Sequence, residues 1–80
     1  MSEYNEWESV WSLEFGTNLQ RMLHRKRISQ GTLAKKLGVT EATISRYVHG
    51  THIPSAFRIC RIAEILECEI NDLVKTKYDL

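Results

Sequence analysis

The sequence contains little proline, glycine or cysteine. Its 80 residues include one proline, four glycines and two cysteines. So few turn formers favour helices over many short strands. Two cysteines, Cys60 and Cys68, are too few to hold together a secreted miniprotein, and they fit a reducing cytoplasm. No run approaches the roughly 18 apolar residues of a membrane span, and no leader of charged and then apolar residues is present. We therefore expect a soluble, cytoplasmic protein with no membrane partner.

The usual signatures of an active site or a metal site are also missing. The chain has no GxSxG, HExxH or phosphate-binding glycine loop. A zinc site made of His49, His52 and both cysteines is disfavoured, because the cysteines lack the close spacing of zinc ligands. A chain of this length buries about 60–65% of its unfolded surface, enough for one small core but not for a deep cleft as well. We expect a non-enzymatic domain without cofactor, metal or small-molecule effector pocket.

The charges are partitioned along the chain, although the net charge is only +1. Residues 1–16 carry four glutamates and no base, and residues 62–80 carry five acids against two bases. Residues 17–61 carry nine bases and a single acid, Glu41. A basic middle between two acidic ends predicts a surface for a polyanion.

Aromatic residues recur at helical spacing near the N-terminus. Tyr4, Trp7, Trp11 and Phe15 are three or four positions apart and would form one stripe of a helix. We expect this extra helix to pack on the domain, with a groove for a partner as the alternative. Gly16 follows the stripe, where we expect a kink or a break.

Capping signals predict the remaining helices, and no segment is convincing as a strand. We expect helices from Thr17 to Arg27, over 30–37, from Glu41 to Val48, from Pro54 or Ser55 to Leu66, and around Ile70 to Val74. Ser29 and Thr40 are typical N-caps, and Gly38 suits a left-handed C-terminal position. The predicted fold class is all-α.

The short spacing between the helices at 30–37 and 41–48 is the most informative feature. Ala34 permits close approach of the two helices, and Gly38 permits a turn of about three residues. Val39 and Ile44 would fill the angle between them. This spacing predicts a helix-turn-helix, which can place its second helix in a DNA major groove.

At these residues the chain resembles the Cro/cI-type (XRE) helix-turn-helix family. The matching stretch is SQGTLAKKLGVTEATISRYVHGTHIP at 29–54, followed by FRICRIAEILECEINDLV. The resemblance implies a five-helix, lambda-repressor-like DNA-binding domain. We expect an acidic aromatic helical extension at 1–16, the DNA-binding domain at 17–75 with its helix-turn-helix at about 30–49, and a tail at 76–80.

The sequence departs from the family pattern at two places in this domain. Family members often pair Arg at the position of Leu23 with Glu at that of Val48, so here we expect a hydrophobic contact. A Gly often stands where this chain has Glu67, so we expect a strained or differently closed turn after the fourth helix.

The resemblance also implies which residues contact DNA. The outward positions of the helix at 41–48 reach base edges in the family. Arg46 is the strongest candidate because a guanidinium binds guanine O6 and N7 in a bidentate fork. Glu41 would accept from cytosine N4 or serve only to cap the helix. The predicted base contacts are Glu41, Ala42, Ser45 and Arg46.

The predicted contacts to the DNA backbone surround this helix. In the family, the position of Gln30 binds a phosphate, aided by the free amides of a helix N-terminus. We expect Lys36, Arg21 and Arg58 to add diffuse attraction, and Tyr47 to fill the core. The predicted backbone contacts are Gln30, Lys35, Thr40, Thr43, His49, Thr51 and His52.

These features predict a sequence-specific regulator that binds double-stranded DNA, most simply a small Cro/cI-like repressor on a palindromic operator. One recognition helix reads too few base pairs, so we expect a homodimer. Its interface would be the aromatic N-terminal segment or a C-terminal patch. That patch consists of Leu66, Ile70, Leu73, Val74 and Tyr78. The alternative function is an antitoxin-like or adaptor module whose main partner is a protein.

Overall fold

The computed structural model describes residues 6–76, and the regular structure in that range is entirely helical. The five helices are α1 (Glu6–Lys26), α2 (Gln30–Leu37), α3 (Glu41–Val48), α4 (Ala56–Leu66) and α5 (Ile70–Val74). Helices α2 and α3 pack against each other, and α1 packs across both α3 and α5. Helix α4 contacts α1, α2 and α5. The predicted all-α class is confirmed, and none of these helices has the length and apolar character of a membrane span.

Hydroxyl side chains cap the starts of three helices, two of them at the predicted residues Ser29 and Thr40. Ser29 Oγ accepts a hydrogen bond of 3.0 Å from the Thr32 amide, and Thr40 Oγ1 accepts one of 3.2 Å from Thr43. Ser55 Oγ caps α4 in the same way, at 3.1 Å from the Arg58 amide. Each of these bonds satisfies an amide that has no partner within the helix. The predicted caps are confirmed, and α4 begins one residue after Ser55.

The prediction of a break at Gly16 is wrong, because α1 is continuous through it from Glu6 to Lys26. Gly16 lies where α1 crosses the end of α3. A Cβ built there would lie 2.2 Å from the carbonyl oxygen of Val48 and 2.6 Å from that of Tyr47. Glycine costs a helix about 1 kcal/mol. Glycine is present at this position because a residue with a Cβ would not permit the close approach of α1 and α3.

The aromatic stripe packs on the domain through one end only. Phe15 is buried, and the half-buried Trp11 stacks on it with ring centroids 5.3 Å apart. Trp7, one turn earlier, is 68% exposed. Tyr4 lies outside the described residues. The predicted packing is confirmed for Phe15 and Trp11, whereas Trp7 is mostly exposed.

One core connects all five helices. Leu23 is buried in it, and Val48 packs at its margin, so the pair that replaces the family's Arg and Glu lies in apolar surroundings. Among residues 6–76, the buried side chains of this core are Phe15, Leu19, Met22, Leu23, Leu33, Ala34, Ile44, Tyr47, Ile59, Ile62, Ala63, Leu66 and Leu73.

The C-terminal patch that we predicted for dimerisation is mostly internal. Leu66 is 1% exposed and Leu73 is fully buried, so neither can contact a second copy. They are inside because α5 folds back on α1 and α4. Ile70 remains exposed and Val74 is half-buried, while Tyr78 lies outside the described residues. The prediction is wrong for Leu66 and Leu73.

The strained turn expected after α4 is confirmed. Glu67 adopts a left-handed conformation with φ 52° and ψ 50°. This conformation costs a residue with a Cβ roughly 1–2 kcal/mol. The Lys26 ammonium donates to the Glu67 carbonyl at 3.1 Å, which ties this turn to the end of α1.

Candidate nucleic-acid interface

Helix α3 has one buried face and one exposed face. Ile44 and Tyr47 are buried, and Val48 is half-buried at the end of the same face. Because α3 packs against both α1 and α2, this inner face is held on two sides. Thr40 fixes the first turn through its cap. The opposite face of the helix is therefore held at a defined orientation to solvent.

The outward face carries all four residues predicted to contact bases. At about 100° per residue, Glu41, Ala42, Ser45 and Arg46 share an arc of about 140°. Three of them are exposed, whereas Ser45 is half-buried. A helix with this face fits a DNA major groove, where a guanidinium and a carboxylate find complementary base edges.

His49, Thr51 and His52 are exposed after the end of α3, and several of their polar groups bond within the protein. His49 Nδ1 lies 2.7 Å from the carbonyl oxygen of Ser45, a hydrogen bond that orients the ring. The amide and hydroxyl of Thr51 both donate to the Arg46 carbonyl, at 3.0 and 3.2 Å. His52 Nδ1 is 3.4 Å from the Thr51 hydroxyl. Of the three predicted backbone contacts here, Thr51 has both of its donors directed inward.

The start of α2 adjoins the start of α3. Gln30 is half-buried in the first turn of α2, and Lys35 is exposed one turn later. Thr43 is half-buried, and its hydroxyl lies 3.0 Å from that of Thr40. A surface depression lies between the two helices. It is lined by Ser29, Gly31, Thr32, Lys35, Lys36 and Glu41.

The sequence prediction missed two contacts that hold α3 in place. Arg58 Nη1 donates to the hydroxyl of the buried Tyr47 at 2.9 Å, so this arginine braces α3. Ser12 Oγ donates to the Gly50 carbonyl at 2.8 Å, which ties the end of α3 to α1. The signal for the first was present, because a buried tyrosine hydroxyl needs a partner.

A third missed contact holds the end of α5. The side-chain amide of Asn18 donates to the carbonyls of Leu73 and Lys75, at 2.9 and 2.7 Å. Its oxygen accepts from Arg21 Nη1 at 3.0 Å, so the guanidinium predicted to give diffuse attraction is held by α1.

Between residues 6 and 76, no three His, Cys, Asp or Glu side chains are placed to hold a metal ion. Cys60 is exposed and Cys68 is half-buried. Burial, followed by the charge of Asp72, raises the pKa of the Cys68 thiol.

Comparison with known proteins agrees with this geometry. Residues 18–79 match the family described as the Cro/C1-type HTH DNA-binding domain. The chain belongs to this family. Its helix-turn-helix is therefore part of a DNA-binding domain. A search of curated proteins finds no significant match.

Solved structures share the fold of this Cro/C1-type domain. The restriction-modification controller protein C.AhdI from Aeromonas hydrophila is 28% identical, with a TM-score of 0.72 over 76% of this chain and 92% of its own. The SOS-response transcriptional repressor LexA from Eubacterium rectale is 22% identical, with a TM-score of 0.75 over 88% of this chain and 76% of its own.

An enzyme contains a similar domain. The hydroxypropylphosphonic acid epoxidase from S. wedmorenis is 24% identical, with a TM-score of 0.78 over 84% of this chain. The chain spans only 36% of the length of that enzyme. This likeness concerns the fold alone.

Proposed function

We propose that this Cro/C1-type domain is a sequence-specific transcriptional regulator, a small repressor that binds a palindromic operator as a homodimer. The observation that carries the proposal is the outward face of α3, a rigidly seated helix that exposes Arg46 and Glu41. The likeness to a controller protein of similar length supports it.

The proposed base contacts follow from the chemistry of the major groove. Arg46 binds guanine through its guanidinium fork, and the Ala42 methyl contacts a thymine methyl. Glu41 accepts from an exocyclic amino group of cytosine or adenine. Ser45 contributes less, because its hydroxyl lies 3.3 Å from the His49 ring and the residue is half-buried.

The proposed phosphate contacts lie on either side of this face. Gln30 and the first amides of α2 face one phosphate, and Lys35 adds a charge nearby. On the other side, Thr51 positions the proposed phosphate contacts that follow α3 through its two hydrogen bonds to the Arg46 carbonyl. Each phosphate neutralised adds about 0.9 to the log–log salt slope. The remaining proposed contacts are Thr40, Thr43, His49 and His52.

Selection from random duplexes is expected to return one preferred sequence with two-fold symmetry. Its half-sites should lie about 34 Å apart, because the two recognition helices enter successive major grooves on one side of the DNA. The molar mass of the complex checks the stoichiometry of two chains. Binding that shows no preferred sequence would contradict a regulator and favour the adaptor function.

We propose that the dimer forms through the aromatic N-terminal face, because Leu66 and Leu73 of the C-terminal patch are buried in the core. Trp7, Val10 and Trp11 line a mostly apolar cleft on this face, together with Thr76. An exposed tryptophan beside such a cleft is typical of an interface anchor.

Replacing Trp7 by serine is therefore expected to convert the dimer to a monomer at micromolar concentration, as measured by sedimentation equilibrium. Phe57→Ser is the matched control, because Phe57 is 75% exposed on α4 and of similar apolar character. If the Phe57 variant were monomeric and the Trp7 variant stayed dimeric, the interface would instead lie on α4.

The same cleft favours a second candidate function, the antitoxin-like or adaptor module. The cleft would then bind another protein, and the basic segment at residues 17–61 would take part in that complex. The selection experiment separates the two functions, because an adaptor has no need of a preferred DNA sequence.

A further inference from the structure

Glu41 lies against the first turn of α2, although it belongs to α3. A Cβ built on Gly31 would be 3.1 Å from Glu41 Oε1 and 3.7 Å from its Cδ. The carboxylate therefore lies close to the backbone of Gly31. It also lines the depression that contains Lys35 and Lys36.

This location is electrostatically favourable for an anion. The first amides of a helix have no partners within it and carry the positive end of the helix dipole. Ser29 Oγ takes the Thr32 amide, and the amides of Gln30 and Gly31 precede it. Lys35 and Lys36 are exposed nearby. Within residues 17–61, Glu41 is the one acidic side chain in the sequence.

We propose that Glu41 is a specificity-determining residue because its carboxylate occupies the place that a DNA phosphate would take at the start of α2. This inference rests on the proposed function. On a non-cognate duplex the carboxylate stays against α2 and repels the incoming phosphate. On the operator, an exocyclic amino group of a base donates a hydrogen bond to the Glu41 carboxylate. The carboxylate then lies away from α2, and the phosphate can bind at the start of that helix.

The mechanism makes non-specific binding weak without weakening operator binding to the same degree. A carboxylate and a phosphate a few ångströms apart at a protein surface repel strongly enough to change affinity on the order of tenfold. The base pair that draws Glu41 away relieves this repulsion. Specificity then comes partly from a penalty on wrong sequences.

Glu41→Gln tests the proposal, with Glu64→Gln as the matched control. Both changes remove one negative charge from an exposed position, and Glu64 lies on α4, paired with Arg61. Affinity is measured for the selected operator and for a random duplex of equal length, over a range of salt concentrations. Thermal unfolding of each variant checks that the fold is retained.

The expected result for Glu41→Gln is about tenfold tighter binding to the random duplex, with a log–log salt slope steeper by about 0.9. Operator affinity should rise less, so the ratio of the two affinities falls. Glu64→Gln should leave that ratio unchanged.

Two results would overturn the proposal while the proposed function stands. One is equal random-duplex affinity in the two variants, and the other is a loss of operator affinity with no gain on the random duplex. Failure of the wild-type protein to bind any duplex in dilute salt would instead refute the proposed function itself.

Discussion

Replacing Gly16 by alanine is expected to lower the free energy of unfolding by about 3 kcal/mol. Helix propensity alone predicts a gain of about 1 kcal/mol from this change. The added methyl group, however, would lie 2.2 Å from the Val48 carbonyl oxygen, which is backbone and cannot rotate away. Helices α1 and α3 must separate, and overpacking of this kind costs about 1–3 kcal/mol or more before the loss of neighbouring contacts. The steric cost therefore exceeds the gain in helix propensity, and the variant is less stable than the wild type.

Gly31→Ala is the matched control for this prediction. Gly31 is also helical, but its nearest obstacle is the end of the flexible Glu41 side chain at 3.1 Å. That side chain can move, so we expect stability within about 1 kcal/mol of the wild type. Urea unfolding measures both variants. Equal stability of the two would mean that α1 and α3 do not need the close approach at Gly16.

The same crossing positions α3. Ser12 binds the Gly50 carbonyl one turn before Gly16 along α1, so the end of α3 is held at two points by one helix. The extra N-terminal turns of α1 are therefore part of the DNA-binding domain's support. An extension predicted as an addition to the domain is continuous with its first helix.

Local signals in the sequence were sufficient for most of the fold. Ser29, Gly38 and Thr40 act through hydrogen bonds and φ angles of their own neighbourhoods, so a single sequence reveals them. The outward face of α3 followed from helical periodicity once its start at Thr40 was known. Glu67 was noticed through the family resemblance rather than through a local signal, because a Gly often stands at its position in the family.

Long-range contacts could not be predicted in this way. Gly16 resembled a helix breaker, since its helix cost is local whereas its benefit comes from α3, about 30 residues away. No local signal marks Asn18, whose side-chain amide binds carbonyls 55 and 57 positions later. Leu66 and Leu73 were offered for a dimer interface because nothing local indicates that α5 returns to α1. Partners of this kind depend on the packing of whole helices.

Arg46→Ala is expected to reduce affinity for the selected operator by tenfold or more, with little loss on a random duplex. A bidentate guanidinium–guanine pair contributes about 1–3 kcal/mol of discrimination, and a dimer makes one in each half-site. Arg46 is exposed on the outward arc of α3, and removing its side chain disturbs no core contact. The discrimination should be lost at one base pair per half-site, as measured by titrating operators with single substitutions.

Two further variants separate base recognition from simple charge. Arg61→Ala removes the same charge from α4, where the guanidinium binds Glu64 at 2.7 Å, and it should change both affinities little. Gln30→Ala should weaken binding to the operator and to random DNA alike, because a phosphate contact carries no base information. Equal losses on operator and random DNA for Arg46→Ala would remove Arg46 from the base-reading residues. The recognition face would then have to rest on Glu41 and Ala42.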